Sequence, residues 1–122
     1  MKILIIDDDA DIRFITAMSL RSIGGMAVVE AASGAEGVLK AQEESPDVIL
    51  LDMMMPTMDG VATLAALRAQ PATTLTPVIF LSAKTREADV DRFKGLGAVG
   101  VLIKPFDPRT LPDAVRTMIA PP

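Results

Sequence analysis

The chain has 122 residues, of which 50% are hydrophobic, and its 12 basic and 16 acidic side chains give a net charge of −4. This length fits one domain with a single core, and the composition argues against disorder. The mild acidity and the lack of a basic stripe disfavour a nucleic-acid partner. No apolar run approaches the ~20 residues that span a bilayer. The short apolar start also ends in aspartates, unlike a signal peptide, so we expect one cytoplasmic domain over residues 1–122 with no membrane partner.

The chain contains no cysteine and no histidine. Without cysteine there are no disulfides, no thiolate metal ligands and no cysteine nucleophile. Without histidine the chain lacks the commonest general base and transition-metal ligand. Any route through a phosphohistidine therefore needs the histidine of a partner.

The first half of the chain alternates apolar runs with helix-period segments. Residues 3–6 are a continuous apolar run, which predicts a strand covered on both faces, and 27–29 is a weaker candidate strand. A glycine pair, Gly24-Gly25, ends the first predicted helix. The apolar residues that indicate this helix and a short second one are Ile12, Ile15, Leu20 and Ile23, then Ala35, Val38 and Leu39.

The second half continues the alternation. Apolar runs at 48–51, 78–81 and 101–103 predict three more strands. Asp59 is the expected N-cap of the third helix, and Pro112 is expected in the first turn of the fifth. Five alternations predict a parallel sheet with helices on both faces. The apolar residues that indicate helices three to five are Val61, Leu64 and Ala65, then Val90 and Phe93, then Leu111, Ala114, Val115, Met118 and Ile119.

Polar side chains follow four of the predicted strands. Asp7 and Asp8 come after the first, Asp52 after the third, Ser82 after the fourth and Lys104 after the fifth. Because ligands bind outside the carboxyl ends of parallel strands, we expect these groups to converge at one edge of the sheet. Singly, each is an ordinary strand-end acid, turn serine or surface lysine, and the joint placement favours a site. The neighbouring Asp9 is expected to cap the next helix instead.

Crowded carboxylates repel one another, and a divalent cation removes that conflict. Mg²⁺ prefers oxygen ligands, commonly one or two carboxylates with waters and phosphate oxygens. We therefore expect Asp8 and Asp52 to bind Mg²⁺ directly, and Asp7 to bind it directly or through water. The backbone carbonyl of Met54 can fill a further position.

A carboxylate beside Mg²⁺ can also attack phosphorus and form an acyl phosphate, and Asp52 is the predicted nucleophile. Negative charge then spreads over three equatorial oxygens. The metal, the Lys104 ammonium and the Ser82 hydroxyl are each expected to hold one of them. No general base is needed, because the carboxylate is already ionised at pH 7.

Four motifs occur in order over nearly the whole chain: Asp7-Asp8, LLDMMMPTMDG around Asp52, PVIFLSAK around Ser82, and Lys104-Pro105-Phe106. Together they resemble the receiver domain of response regulators in two-component signalling, including the chemotaxis regulators. The resemblance implies a flavodoxin-like (βα)5 three-layer sandwich of strand order 2-1-3-4-5, with a cis Lys104–Pro105 bond. It also implies Mg²⁺, with Mn²⁺ as an alternative, near Asp7, Asp8 and Asp52.

The implied function is signalling rather than enzymatic turnover. The resemblance implies that a sensor histidine kinase or a histidine phosphotransfer protein phosphorylates Asp52 and that the domain dephosphorylates itself. It also implies that Ser82 moves toward the phosphoryl group and Lys104 pairs with it, and we expect a downstream protein to bind the face of helix 4, strand 5 and helix 5. The expected state is a monomer or a weak dimer.

Three rival functions fit the residues less well. A haloacid-dehalogenase-like phosphatase requires a second acid two residues after its nucleophile, where this chain has Met54. A flavin- or nucleotide-binding domain requires a glycine- or hydroxyl-rich phosphate loop after the first strand, where this chain has aspartates. A degenerate receiver that only binds proteins lacks the acceptor or the lysine, and this chain has both Asp52 and Lys104.

One position departs from the resemblance, Val101, and two others, Met54 and Lys84, stand where the family varies. Val101 stands three residues before Lys104, where the family often has an aromatic ring that swings inward, so we expect a smaller change on the outer face. Met54 and Lys84 border the path of the water that hydrolyses the acyl phosphate. Shielding by Met54 predicts a phosphoryl lifetime of minutes or longer. The other methionines of this loop (Met53, Met55 and Met58) are expected to serve packing or partner contact.

Overall fold

Five parallel strands form one sheet in the order β2-β1-β3-β4-β5. The computed structural model describes residues 1–83 and 86–121, and this count and those below concern these residues. The order matches the prediction, as does the alternation of strands and helices. The strands are β1 (Lys2–Ile6), β2 (Ala27–Ala31), β3 (Val48–Asp52), β4 (Val78–Ser82) and β5 (Gly100–Ile103).

Helices cover both faces of this sheet, which makes a three-layer sandwich. Every residue of β3 and β4 is buried as a result, which accounts for their unbroken apolar sequences. Within the described residues, every helix is too short or too polar to span a lipid bilayer. The helices are α1 (Ala10–Met18), α2 (Gly34–Glu44), α3 (Gly60–Arg68), α4 (Glu87–Gly95) and α5 (Leu111–Ile119), and a π-helical segment, Ser19–Ile23, extends α1.

Alternate residues of each strand enter two separate cores. Leu4 and Ile6 point toward α2, α3 and α4, whereas Ile3 and Ile5 point toward α1 and α5. Each core excludes water from one face, so the sheet is held as a rigid layer. The buried polar residues Asp7, Asp52 and Ser82 lie at the carboxyl ends of the strands or directly after them.

The buried faces of the first two helices differ from the sequence prediction. Ile15 and Ile23 are 46% and 57% exposed, whereas Thr16, Ala17 and Leu20 are buried and form the core-facing side of this helix. In α2, Leu39 is 59% exposed, and small residues face the core instead. A Cβ on Gly37 would lie 2.4 Å from Ile6 Cδ1. The helix therefore needs glycine to approach the sheet this closely.

Two aspartate caps are as predicted. Asp9 accepts hydrogen bonds from the main-chain N–H groups of Asp11 (2.9 Å) and Ile12 (3.2 Å) at the start of α1. Asp59 accepts one from Ala62 (2.8 Å) at the start of α3. Each carboxylate satisfies donors that the first helical turn leaves free. Both caps lie in loops that follow the carboxyl ends of strands, so they also fix the loops that form the site.

Candidate functional site: an acidic cleft at the carboxyl ends of the strands

The carboxyl ends of β1, β3, β4 and β5 meet at one edge of the sheet. Asp7 and Asp52 are 0% and 5% exposed there, and Ser82 is 3% exposed. Asp8 is exposed. Carboxylate oxygens of Asp7, Asp8 and Asp52 all lie within 4.8 Å of one another. The structure thus brings together the acids that the strand-end pattern selected.

The lysine that follows β5 bridges two of these acids. Lys104 Nζ lies 3.0 Å from Asp52 Oδ1 and 3.3 Å from Asp7 Oδ2. Its main-chain N–H donates to the Ser82 carbonyl at 2.8 Å, which places the fourth and fifth strand ends side by side. The Lys104–Pro105 peptide is cis, as the resemblance implied. The ammonium therefore already lies at the carboxylate that is the expected nucleophile.

Burial and charge shift the proton affinities of this pair. Burial raises the pKa of Asp52, and the nearby charge of Asp7 raises it further, against the opposing effect of Lys104. For Lys104, burial alone lowers the pKa. The hydrogen bond to Asp52 and the charges of both aspartates outweigh that effect and raise it. The cleft thus holds Lys104 as a cation and disfavours the ionised form of Asp52.

The donor set of the cleft suits a hard divalent cation. Three carboxylates face one ammonium, so two negative charges remain uncompensated when all are ionised. The ligand atoms are oxygens, and one of the three acids, Asp8, is open to solvent for ion entry. These features fit Mg²⁺, and the part played by the Met54 carbonyl stays a prediction.

The methionine loop after Asp52 divides into buried and exposed members. Met53 and Met55 are 9% and 8% exposed and pack in the core, whereas Met54 is 75% exposed at the rim of the cleft. The Met54 N–H donates to Asp52 Oδ1 at 3.4 Å, so this loop contacts the Asp52 carboxylate through its backbone. Lys84, the other residue predicted to border the water path, lies outside the described residues.

Gly60 begins α3 and lies against the end of β3. A Cβ at this position would lie 2.7 Å from the Asp52 carbonyl oxygen and 2.8 Å from Met53 Cα. Any other residue would push the start of α3 away from the end of β3. The glycine therefore permits the close packing that supports the Asp52 backbone.

Two features near the cleft escaped the sequence analysis. Arg13 of α1 donates from Nη1 to the Asp7 carbonyl oxygen at 2.8 Å, and its Nε lies 3.3 Å from Glu30 Oε1. An apolar cleft of about 320 Å³ also opens beside Lys104. The only sequence signal for the contacts of Arg13 was its position one helical turn after Asp9. The residues that line the apolar cleft are Ile12, Ile15, Lys104, Pro105, Phe106 and Pro108.

Comparison with known proteins identifies the family. The profile described as "Response regulator receiver domain" matches residues 3–116. The chain belongs to the response regulator receiver domain family. Its curated relatives include the alkaline phosphatase synthesis transcriptional regulatory protein PhoP of Bacillus subtilis, 36% identical over 118 residues. The transcriptional regulatory protein PrrA of Mycobacterium tuberculosis is 39% identical over 120 residues.

This receiver domain spans about half the length of those relatives. Each alignment covers 97% of this chain but only 48% of PhoP and 49% of PrrA. Among solved structures, the chemotaxis response regulator CheY4 of Vibrio cholerae matches with a TM-score of 0.89 at 36% identity, over 97% of this chain and 98% of that one. Receiver domains are signalling domains of two-component systems that work with histidine kinases and downstream effectors. They are not enzymes in the usual sense.

Proposed function

We propose that residues 1–122 form a receiver domain whose Asp52 accepts a phosphoryl group from a phosphohistidine. The observation that supports this most is the position of the Asp52 carboxylate. Asp52 is buried at the end of β3, its Oδ1 lies 3.0 Å from Lys104 Nζ, and one of its oxygens lies within 4.8 Å of ligand oxygens of Asp7 and Asp8. The Asp52 carboxylate thus contacts the Lys104 ammonium and lies beside two further acids, Asp7 and Asp8.

In the proposed transfer, an Asp52 oxygen attacks the phosphorus of the phosphohistidine. A bond forms between that oxygen and phosphorus, the phosphorus–nitrogen bond breaks, and its electron pair returns to the imidazole of the donor. Lys104 moves its ammonium from the carboxylate to a phosphoryl oxygen, and the Ser82 hydroxyl holds another. The phosphoryl group carries more negative charge than the carboxylate that it replaces, so it increases the repulsion of Asp7. Lys104 offsets part of that added charge.

Asp7, Asp8 and Asp52, with the Met54 carbonyl as a further ligand, would hold a Mg²⁺ ion, which would supply charge neutralisation during the transfer. Mn²⁺ can take its place because it accepts the same oxygen ligands. The same residues favour hydrolysis of the acyl phosphate by water, which gives the self-catalysed dephosphorylation expected of the family.

The donor is a sensor histidine kinase or a histidine phosphotransfer protein. The surface next to Asp52 supports this choice, since the apolar cleft of about 320 Å³ shares Lys104 with the acidic cleft. Beside it, α1 exposes Phe14 (61%), Ile15 (46%) and Met18 (48%). Apolar side chains next to a charged reaction centre suit a protein donor better than a small ion.

The proposed output is a change of partner binding. Ser82 is adjacent to β5 in the sheet, paired with Ile103, so its movement toward a phosphoryl group reaches the face formed by α4, β5 and α5. A downstream protein binds this face in one phosphorylation state. The domain acts as a monomer or a weak dimer, with no nucleic-acid or membrane partner.

Intact mass after incubation with acetyl phosphate and Mg²⁺ tests the proposal. We expect one added phosphoryl group on the wild-type chain, none with EDTA present and none on Asp52→Asn. Asp9→Asn is the matched control, because asparagine also caps a helix and Asp9 lies outside the acid cluster.

Donor choice affects how a negative result is interpreted. If acetyl phosphate, beryllofluoride and a panel of phosphorylated histidine kinases all leave the folded chain unmodified, the phospho-acceptor function is wrong. The chain is then a domain that binds partners independently of phosphorylation. An adduct of equal yield on Asp52→Asn would refute the choice of acceptor alone.

A further inference from the structure

Arg13 of α1 and Glu30 of β2 form a chain of contacts that reaches the acidic cleft. Arg13 donates from Nη1 to the Asp7 carbonyl oxygen (2.8 Å), and its Nε is 3.3 Å from Glu30 Oε1. The Arg13 and Glu30 side chains are 20% and 34% exposed, so both are partly withdrawn from water. Glu30 is on β2, where its backbone pairs with Ile5 of β1. The glutamate is therefore anchored to the sheet, and the arginine is anchored to the glutamate.

The acceptor of this hydrogen bond is the peptide group between the two acids. The Asp7 carbonyl belongs to the planar unit that also contains the Asp8 N–H. A hydrogen bond that fixes the Asp7 carbonyl oxygen also fixes the plane of the Asp7–Asp8 peptide. That plane in turn sets the direction of the Asp8 backbone. The Asp7 side chain is held separately, because its Oδ1 accepts the Asp9 N–H at 2.9 Å and its Oδ2 contacts Lys104. Asp8 is exposed, so its position depends on the backbone.

The glutamate also controls where the positive charge of Arg13 is directed. A guanidinium within reach of the Asp7 carbonyl is close to a cluster of three carboxylates, where it could compete with a cation. Glu30 neutralises that charge and keeps the guanidinium turned to the peptide oxygen. The second carboxylate oxygen of Glu30 lies 3.6 Å from Arg21 Nη1, and Arg21 in turn donates to the Val28 carbonyl (2.9 Å). Arg21 and Arg13 therefore both pair with Glu30, and of the two only Arg13 has a contact with Asp7 among those that the described residues make.

We propose that Arg13 and Glu30 are positioning residues that orient the Asp7–Asp8 peptide and so set the affinity of the acidic cleft for its divalent cation. This rests on the proposed function, because it assumes that the acid cluster binds such an ion. It adds two residues that lie outside the cluster and that touch neither the acceptor nor the phosphoryl group. Partners that orient ligands in this way change metal affinity by roughly 10- to 100-fold when they are removed.

Titration with Mn²⁺, followed through the electron paramagnetic resonance signal of the free ion, measures this affinity without any phosphoryl transfer. We expect Arg13→Ala and Glu30→Gln each to raise the Mn²⁺ dissociation constant about tenfold. Arg13→Lys should recover only part of the loss, because one ammonium lacks the planar fork that reaches the carbonyl and the carboxylate together. Competition with Mg²⁺ should give the same order of variants.

Arg21→Gln is the matched control, since it removes the other ion pair of Glu30 and leaves the contact of Arg13 with Asp7 in place. Its dissociation constant should equal that of the wild type within about twofold. The double variant Arg13→Ala/Glu30→Gln should bind no more weakly than Arg13→Ala, because Glu30 acts through Arg13. Thermal unfolding of each variant with EDTA shows that the chains compared are folded.

An unchanged dissociation constant for folded Arg13→Ala would overturn the proposal and reduce the pair to a surface contact that affects stability alone. An equal rise for Arg21→Gln would also overturn it, because the effect would then be one of general surface charge. A wild-type chain that binds Mn²⁺ but accepts no phosphoryl group would refute the phospho-acceptor function and leave the test of positioning intact. A wild-type chain that binds neither ion would refute the positioning role.

Discussion

At the scale of single residues, Lys104 holds two buried carboxylates together before any phosphoryl group arrives. Asp7 and Asp52 are almost fully buried, and the lysine contacts both. A buried acid that loses its partner is left as an uncompensated charge, which costs about 3 kcal/mol or more. The same ammonium contacts Asp52 and is therefore placed to pair with a phosphoryl group on that residue.

Lys104→Ala should therefore destabilise the metal-free domain by about 3 kcal/mol and slow phosphorylation by acetyl phosphate about 10²-fold. Urea unfolding with EDTA and quench-flow mass measurement give the two values. Saturating Mg²⁺ should reduce the loss of stability, because the ion replaces part of the missing positive charge. A variant as stable as the wild type with EDTA present would show that the ion pair does not stabilise the fold.

Asp52 should make stability depend on pH in the metal-free domain. Burial raises its pKa above the ordinary aspartate value of 3.8, so the folded chain keeps the proton after the unfolded chain has lost it. The stability of the wild type then falls as pH rises through that interval. Asp52→Asn carries no such charge, so its advantage in melting temperature should grow from pH 3.8 upward and then level off. Melting curves with EDTA between pH 3 and 8 test this, and an advantage that shrinks with pH would contradict it.

Met54 is the exposed residue of the loop that contacts the acceptor, and it should shield the acyl phosphate from water. Its thioether can neither orient nor activate a water, whereas an asparagine amide can. Met54→Asn should shorten the phosphoryl lifetime about tenfold, which corresponds to about 1.4 kcal/mol in the barrier. Decay of the phosphorylated mass after donor removal measures it. A wild-type lifetime of seconds that the substitution leaves unchanged would argue against shielding.

At the scale of elements, glycines set how closely α2 approaches the sheet. The space that a Gly37 side chain would need is occupied by Ile6, which is fully buried. Gly37→Ala should destabilise the domain by about 1–3 kcal/mol through overpacking. Gly95→Ala in α4 is the control, because a Cβ there meets no atom within 4 Å and alanine favours helix by about 1 kcal/mol. Chemical denaturation of both variants checks the pair, and equal effects would rule out packing as the cause.

The same elements show what the sequence could and could not predict. The strands were predictable because buried parallel strands are continuously apolar, and the acids, the serine and the lysine were predictable because each follows such a strand. The buried face of α2 was not, since glycine and alanine carry no signal of burial while Leu39 carries a misleading one. The contacts of Arg13 join α1, β2 and the loop after β1, so no local pattern of spacing could reveal them.

At the scale of the whole molecule, the position of Val101 bears on how far a change at the acidic cleft can travel. Val101 pairs with Phe80 in the sheet and packs against the core that contains Phe80 and Phe93, whose rings meet edge to face at 5.6 Å. The aromatic volume on this face thus belongs to β4 and α4, and both rings are fully buried. A valine offers no ring that could move between an outward and an inward position.

Beryllofluoride with Mg²⁺ should therefore shift the loop after β4 and the start of α4 while β5 keeps its conformation. Comparing backbone NMR spectra of the two states locates the change. A large rearrangement at Val101 would contradict the expectation. Val101→Tyr should enlarge the response on the face of α4, β5 and α5 if the ring finds room there.

The uneven exposure of the methionine loop has a practical consequence for spectroscopy. The chain has no tryptophan and no tyrosine, so it offers no strong intrinsic fluorophore, but it has eight methionines. Three of them follow Asp52 in a row, the outer two buried and the middle one 75% exposed. Isotope-labelled methyl groups at these positions would therefore report on the interior and the surface of the same loop in one spectrum, at two distances from the acceptor. The protein carries its own pair of inner and outer reporters without any added dye.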